Sequence, residues 1–331
     1  MRLLHAITLA LLFGGFSGYV VEEVLLWVGV SLGPSVARGA QAQPPHLHHF
    51  AVATKANPWA LEGAGALVAA QGTTLRVFGM GDTRAPSPST GFGWAYALKL
   101  LHIQQAVAGL PPGDLVLVSD AFDAFSVAPM TRFEAGFRAA VQHEAQRQQR
   151  EASAGAGDAR PIEVLVSAEA WCFPNTSLAG DFPREDLRLP LPFPNSGVYM
   201  GRAGALHRLL THGPHWDIAF TDDQDWFSKA YLASRRNASL PRVALDHDSI
   251  MAFSMGPLKA LRRDLVWDAA EGAWQDRATG SHPCIFHYNG DKVSEGVSCL
   301  FSFLFKASPT HPIKPRTLNF THANAPFFFF H

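Results

Sequence analysis

The stretch Leu115-Val116-Leu117-Val118-Ser119-Asp120, with Asp123 three positions further on, constrains the fold of this chain more than any other. A short apolar run, set off by Pro111-Pro112-Gly113 and ending in acids, cannot offer one wet and one dry face. It therefore predicts a strand buried on both sides of an α/β sheet. Asp120 and Asp123 then stand just past the carboxyl end of that strand, where open α/β sheets bind their ligands. Paired hard oxygen donors there suit a divalent cation that neutralises a phosphate. Aspartate is also a common turn residue that bonds its own backbone, so two acids alone leave a solvated turn open as well.

The rest of the first half repeats the alternation of strand and helix. Phe50 to Thr54 and Leu75 to Phe78 read as strands around an Ala- and Leu-rich segment, Pro58 to Ala70, read as helix. Trp94 to Ala108 places Leu98, Leu101 and Val107 at helical spacing. Thr131 to Arg150 reads as a second amphipathic helix opened by a Thr131-Arg132-Phe133-Glu134 capping box. Ser153 to Asp158 is a small-residue loop, and Ile162 to Ser167 a further strand that ends at Ala168-Glu169. Alternating strands and helices predict an α/β domain with a mostly parallel central sheet covered by helices. No Gly-x-Gly-x-x-Gly follows the first strand and no Gly-Lys-Ser/Thr loop appears, which removes the main signatures of dinucleotide folds and P-loop ATPases.

Charge and cysteine usage narrow the class. The 331 residues carry 27 Lys and Arg against 28 Asp and Glu, without a long basic run, so no electrostatic footprint for nucleic acid exists. Cys172, Cys284 and Cys299 leave one thiol over if two pair, and their spacing suits neither a disulfide scaffold nor zinc. Leu3 to Val21 reads as the apolar region of a secretory signal or a type II signal anchor, interrupted by Glu22 and Glu23. Small residues from Ala37 to Ala42 would permit cleavage ahead of a Gln43-Pro44-Pro45 linker. Sequons at Asn175, Asn237 and Asn319 are usable along that route. The expected location is the endoplasmic reticulum or Golgi lumen, or outside the cell, with any membrane contact made through the N-terminal anchor.

The second half holds four polar constellations. Asn195-Ser196-Gly197 precedes an apolar strand and reads either as a turn or as a binding element. Thr221-Asp222-Asp223-Gln224-Asp225-Trp226 sets three acids at a predicted helix start. Capping explains one or two of them, which leaves the others to orient sugar hydroxyls or a nucleophile, with Trp226 as a stacking face. Asp246-His247-Asp248 is read as structural, since such loop pairs commonly satisfy backbone groups. His287-Tyr288-Asn289-Gly290-Asp291-Lys292 delivers an imidazole ligand, a permissive turn and a cation for phosphate.

In this order the motifs resemble the glycosyltransferase domain of procollagen lysyl hydroxylases, related to the collagen galactosyltransferases, over residues 48–305. The resemblance implies a GT-A fold and hexose transfer from UDP-glucose or UDP-galactose with Mn²⁺ (or Mg²⁺). It assigns the metal to Asp120, Asp123 and His287. Thr54, Phe122, Asn289, Gly290 and Lys292 fall around the nucleotide. Asn195, Ser196, Gln224, Phe173 and Glu169 fall by sugar and acceptor, and Asp222 and Asp223 are the candidate catalytic acids. Phe173 stands where the family tends to have a pocket Trp. The acceptor implied is a protein or glycan hydroxyl, with collagen-type hydroxylysine or its galactosyl form as one instance.

Two departures qualify the resemblance. The family's Gly-rich segment normally includes a Lys that helps hold the nucleotide, whereas Gly91-Phe92-Gly93-Trp94-Ala95-Tyr96 has none, and Lys99 lies about one helical turn away. The hydroxylase half has no room after residue 305, so the expected organisation is a leader or anchor with linker (1–43), one transferase domain (48–305) and a tail (306–331). The alternative is a weak or inactive GT-A domain that serves as a binding or scaffold module. A homo-oligomer is compatible with either.

Overall fold

The computed structural model describes residues 46–53, 75–82, 96–121, 123–152, 160–255, 265–287, 315–317 and 328–330. The expected leader, the helix from Pro58 to Ala70, the Gly91–Gly93 segment, the Ser153 to Asp158 loop, Cys299 and the sequon at Asn319 lie outside the described residues. Among those described, no helix is long and apolar enough to cross a membrane.

Six strands form the central sheet in the order β2-β1-β3-β6-β5-β7. They are β1 (Leu47–Val52), β2 (Leu75–Phe78), β3 (Leu115–Asp120), β5 (Ile162–Glu169), β6 (Phe193–Arg202) and β7 (Arg242–Asp246). All run the same way except β6, which is antiparallel to both of its neighbours. Helix α1 (Ala97–Ala108) precedes β3, and α2 (Met130–Ala152) precedes β5. Between β5 and β6 only short 3-10 turns intervene, at Thr176–Asp181 and Asp186–Arg188, and the strand returns antiparallel beside the one it left. The mixed α/β architecture with a mostly parallel sheet is therefore the one expected.

Side-chain alternation along β3 sorts the two layers. Val116 and Val118 pack on Leu100 and Ile103 of α1, Leu206 and Leu209 of α3 (Ala203–His212), and Trp226 and Phe227 of α4 (Asp223–Arg236). Leu115 and Leu117 face the other way, onto Phe133 and Phe137 of α2 and Ile285. Asp120 shares the parity of Val116 and Val118, which turns it toward α1.

A second, three-stranded sheet completes the frame of the site. In it β11 (Ile285–His287) pairs antiparallel with β4 (Ala124–Ser126) and parallel with β8 (Ala252–Ser254), and His287 stands opposite Ala124. That register sets His287 beside Asp123. Two shorter pairs, β9 (Leu265–Asp268) with β10 (Ala273–Asp276), and β12 (Pro315–Thr317) with β13 (Phe328–Phe330), lie outside it.

Several local expectations are corrected. Helix α2 starts at Met130, so Thr131 lies inside its first turn and does not cap it. Asn195-Ser196-Gly197 is buried strand, not turn. The first strand runs from Leu47 to Val52 and β5 continues to Glu169. Trp226 is a core residue, 1% exposed, with its indole N–H donated to the Pro214 carbonyl at 2.9 Å, so it presents no face to a sugar. Cys172 and Cys284 are buried free thiols.

Candidate active site

The carboxyl ends of β3 and β11 meet at one point. His287 Nε2 lies 3.3 Å from Asp120 Oδ2 and 3.6 Å from Asp123 Oδ1, and one ligand atom from each of the three falls within 4.8 Å of the others. The imidazole is 3% exposed, yet neither ring nitrogen makes a hydrogen bond of good geometry. A buried polar group without a partner is costly, and this one faces two carboxylates. Burial disfavours the charged imidazole, but Asp123 and Asp120 outweigh it and hold the ring up at about 10. The arrangement therefore calls for positive charge at that spot. Two carboxylate oxygens and one imidazole form a donor set that fits a hard to borderline divalent ion such as Mn²⁺ or Mg²⁺.

Glycine 197 makes room for this ring. A β-carbon there would lie 2.0 Å from His287 Cε1 and 2.3 Å from Nε2, so no other residue is accommodated unless the imidazole moves.

Lys99 reaches the site from α1, where it binds protein oxygens. Its ammonium contacts Asp120 Oδ1 at 2.5 Å, the Ser196 carbonyl at 2.7 Å and Asp223 Oδ2 at 3.0 Å. Three N–H donors meet three protein oxygens, and the side chain is 11% exposed, so it has no donor left for a nucleotide phosphate. Burial opposes its charge, but Asp120 and Asp223 hold its pKa above the ordinary lysine range. The same pair acts on Asp120: burial raises its pKa, and Lys99 and His287 bring it down to about 2. Burial holds Asp123 above its ordinary value.

A second network lies alongside. The Asn195 amide donates to Glu169 Oε2 at 3.2 Å, and its carbonyl oxygen accepts the Gly197 N–H at 2.9 Å. The Gln224 amide donates to Glu169 Oε1 and, at 3.0 Å, to the Phe173 carbonyl. Glu169 and Asn195 are buried, whereas the Phe173 ring is 59% exposed. Four residues assigned to sugar and acceptor thus form one connected wall, and Ser196 joins it to Lys99 through its carbonyl.

The three acids at the start of α4 separate by role. Asp222 is the N-cap, and its Oδ1 accepts from the Gln224 and Asp225 N–H groups at 2.9 and 3.1 Å. Burial, then the neighbouring Asp223, push its carboxyl up to about 6. Asp223 is paired to Lys99, and Asp225 to Lys229 at 2.6 Å.

Of the expected site residues, Asp120, Asp123, His287, Asn195, Ser196, Glu169, Gln224, Phe173, Asp222 and Asp223 are described and lie in these linked clusters. Thr54, Phe122, Asn289, Gly290 and Lys292 lie outside the described residues. Nothing in the sequence pairs Lys99 with both Asp120 and Asp223; the signal for it is the place of Lys99 among the buried residues of α1, with Leu98 and Ile103. Asp246 is structural as expected: its carboxylate accepts the Ile250, Met251 and Ala252 N–H groups at 2.8 to 2.9 Å, and His247 bonds the Leu191 carbonyl at 2.7 Å.

Comparison with known proteins adds an independent line. The profile of the family described as "PLOD GT domain" matches residues 43–296. A procollagen-lysine,2-oxoglutarate 5-dioxygenase of Drosophila melanogaster is 32% identical over 129 residues, 39% of this chain and 17% of that protein. The multifunctional procollagen lysine hydroxylase and glycosyltransferase LH3 of Rattus norvegicus is 33% identical over 86 residues, 26% of this chain and 11% of that protein. The matched part is thus under one fifth of either relative. Among solved structures, a glycosyltransferase involved in the glycosylation of the major capsid of PBCV-1 aligns with TM-score 0.39 and 12% identity, covering 76% of this chain and 96% of the other.

Proposed function

The chain belongs to the family of PLOD GT domains, a glycosyltransferase family, and we propose that it moves glucose or galactose from a UDP-sugar to a hydroxyl acceptor with the help of Mn²⁺ or Mg²⁺. The observation that carries this is the buried imidazole of His287, which faces Asp120 and Asp123 without a hydrogen bond. When bound, the cation would neutralise charge on the departing UDP as the glycosidic bond breaks.

The protein's own residues supply the rest. Asp120, Asp123 and His287 hold the ion. Thr54, Phe122, Asn289, Gly290 and Lys292 are proposed around the nucleotide. Glu169, Asn195 and Gln224 fix hydroxyls of the sugar by charge-assisted and amide hydrogen bonds, and the exposed Phe173 ring gives sugar or acceptor an apolar face. Asp222 takes the proton from the acceptor hydroxyl. Its carboxyl sits at about 6, near the working pH of a general base, whereas Asp223 is held by Lys99.

We take residues 48–305 as the transferase domain, 1–43 as a signal peptide or type II anchor with linker, and 306–331 as a tail, with the work done in the secretory lumen or outside the cell. Exposed Asn237, in a sequon, agrees with that route. Hydroxylysine, or galactosyl-hydroxylysine, in a collagen-like peptide is the proposed acceptor. The test is UDP release from UDP-glucose and UDP-galactose with Mn²⁺, with and without such peptides. Acceptor-dependent release with a mass gain of one hexose on the peptide supports the proposal. No gain with any acceptor, from a protein that binds UDP, overturns it.

A further inference from the structure

Lys99 is the one buried ammonium among the described residues that touches both halves of the site. Its partners are each half of something. Asp120 gives Oδ1 to Lys99 and turns Oδ2 to His287. Asp223 opens the helix whose N-cap is Asp222. The Ser196 carbonyl, the third partner, immediately precedes the glycine that makes room for the metal-site imidazole.

From this geometry we propose that Lys99 is a positioning residue that clamps Asp120 to Asp223, leaving Asp120 a single oxygen for the cation and fixing the metal site against the start of α4. The proposal rests on the metal-dependent reading above. A carboxylate free at both oxygens can chelate or swing, whereas one with Oδ1 committed at 2.5 Å presents one oxygen in one direction. The clamp also sets the charge. Lys99 cancels one of the three nearby carboxylates, and a unit charge this close to a divalent ion has a large Coulomb effect even at the moderate dielectric of a partly buried site.

The charge argument predicts an order of affinities that a lysine with only a packing role does not produce. Mn²⁺ alone is titrated into the full chain without nucleotide, with free Mn²⁺ followed by electron paramagnetic resonance. Lys99→Met removes the competing cation and is expected to tighten Mn²⁺ binding about tenfold. Asp223→Asn leaves Lys99 undercompensated and is expected to weaken it about tenfold. The double variant is expected to return close to wild type. At saturating Mn²⁺, Lys99→Met is expected to lose roughly a hundredfold in kcat with little change in KM for the donor, since geometry and not donor binding is what it disturbs.

Affinity equal to or weaker than wild type in a folded Lys99→Met protein overturns the clamp. If that variant does not fold, Asp223→Asn decides alone, and unchanged Mn²⁺ affinity there overturns it. Absence of saturable Mn²⁺ binding in the wild-type chain marks failure of the metal reading itself. Abolition by Asp123→Ala with no response to Lys99→Met marks failure of the clamp only.

Discussion

A β-carbon on Gly197 would lie 2.0 Å from Cε1 of His287, so this glycine and the imidazole of the candidate metal site occupy adjoining space that admits nothing more. Gly197→Ala must push the ring away from Asp120 and Asp123. We expect loss of about 1–3 kcal/mol of stability, as for other overpacked cores, and a ~10-fold or greater loss of Mn²⁺ affinity, since disturbing the groups that orient a metal ligand typically costs about 10–100-fold. Gly113→Ala is the control, because a β-carbon there meets nothing within 4 Å. Thermal unfolding and Mn²⁺ titration of both variants check this, and an unaltered Mn²⁺ affinity in Gly197→Ala contradicts it.

That contact also shows why part of the site was legible in the sequence and part was not. Asp120, Asp123 and His287 announce themselves by chemistry: acids after an apolar run, and a histidine at a strand end. The strands at Leu75–Phe78 and Leu115–Asp120 follow from composition alone. Asn195-Ser196-Gly197 carries turn-forming residues, and only the fold reveals that it is buried strand whose glycine yields space to a residue ninety positions later. Lys99 was hidden for a related reason. A lysine on a helix is ordinarily solvated, and its two acid partners come from β3 and the start of α4, elements whose meeting is a property of the topology. Trp226 is ambiguous in sequence, because an aromatic residue beside acids suits both a sugar platform and a core, and the fold buries it.

Asp222, as the proposed base, sets the pH dependence we expect of the reaction. A general base must be deprotonated to act, so with its carboxyl at about 6 the acidic limb of kcat/KM is expected to rise through that value and level off above it. Asp222→Asn is expected to lower kcat/KM by roughly 10²–10³ and to erase that limb. A pH profile of both proteins under saturating Mn²⁺ checks it. An identical limb in Asp222→Asn assigns the base elsewhere.

His49 predicts how stability falls in acid. Its ring is buried and bonded to Ser119 Oγ at 2.8 Å, and burial lowers its pKa from 6.5 to about 4. Its folded value is depressed, so its contribution is complete above pH 6.5 and is lost as the pH falls toward 4. The difference is worth about 3 kcal/mol at most. Urea unfolding at pH 7 and at pH 4.5 is expected to show a smaller loss in His49→Leu than in wild type; equal losses contradict the assignment.

Asp246 holds the loop that leads into β8, the partner of β11. Removing its carboxylate in Asp246→Ala leaves three N–H groups without that acceptor, those of Met251 and Ala252 buried and that of Ile250 partly buried. At about 1–3 kcal/mol per unsatisfied group, partly relieved by water, we expect a loss of about 3–5 kcal/mol. A change under about 1 kcal/mol in urea denaturation shows that the loop is secured otherwise.

Sugar transfer is proposed to depend on a cation held by Asp120, Asp123 and His287. The direct measurement is Mn²⁺-dependent UDP release from UDP-glucose and UDP-galactose by wild type and Asp123→Ala, each confirmed folded by circular dichroism. We expect release by the wild type that is abolished by chelator and restored by Mn²⁺, with Asp123→Ala at background throughout. Equal release by the two proteins, or wild-type release indifferent to Mn²⁺, contradicts it.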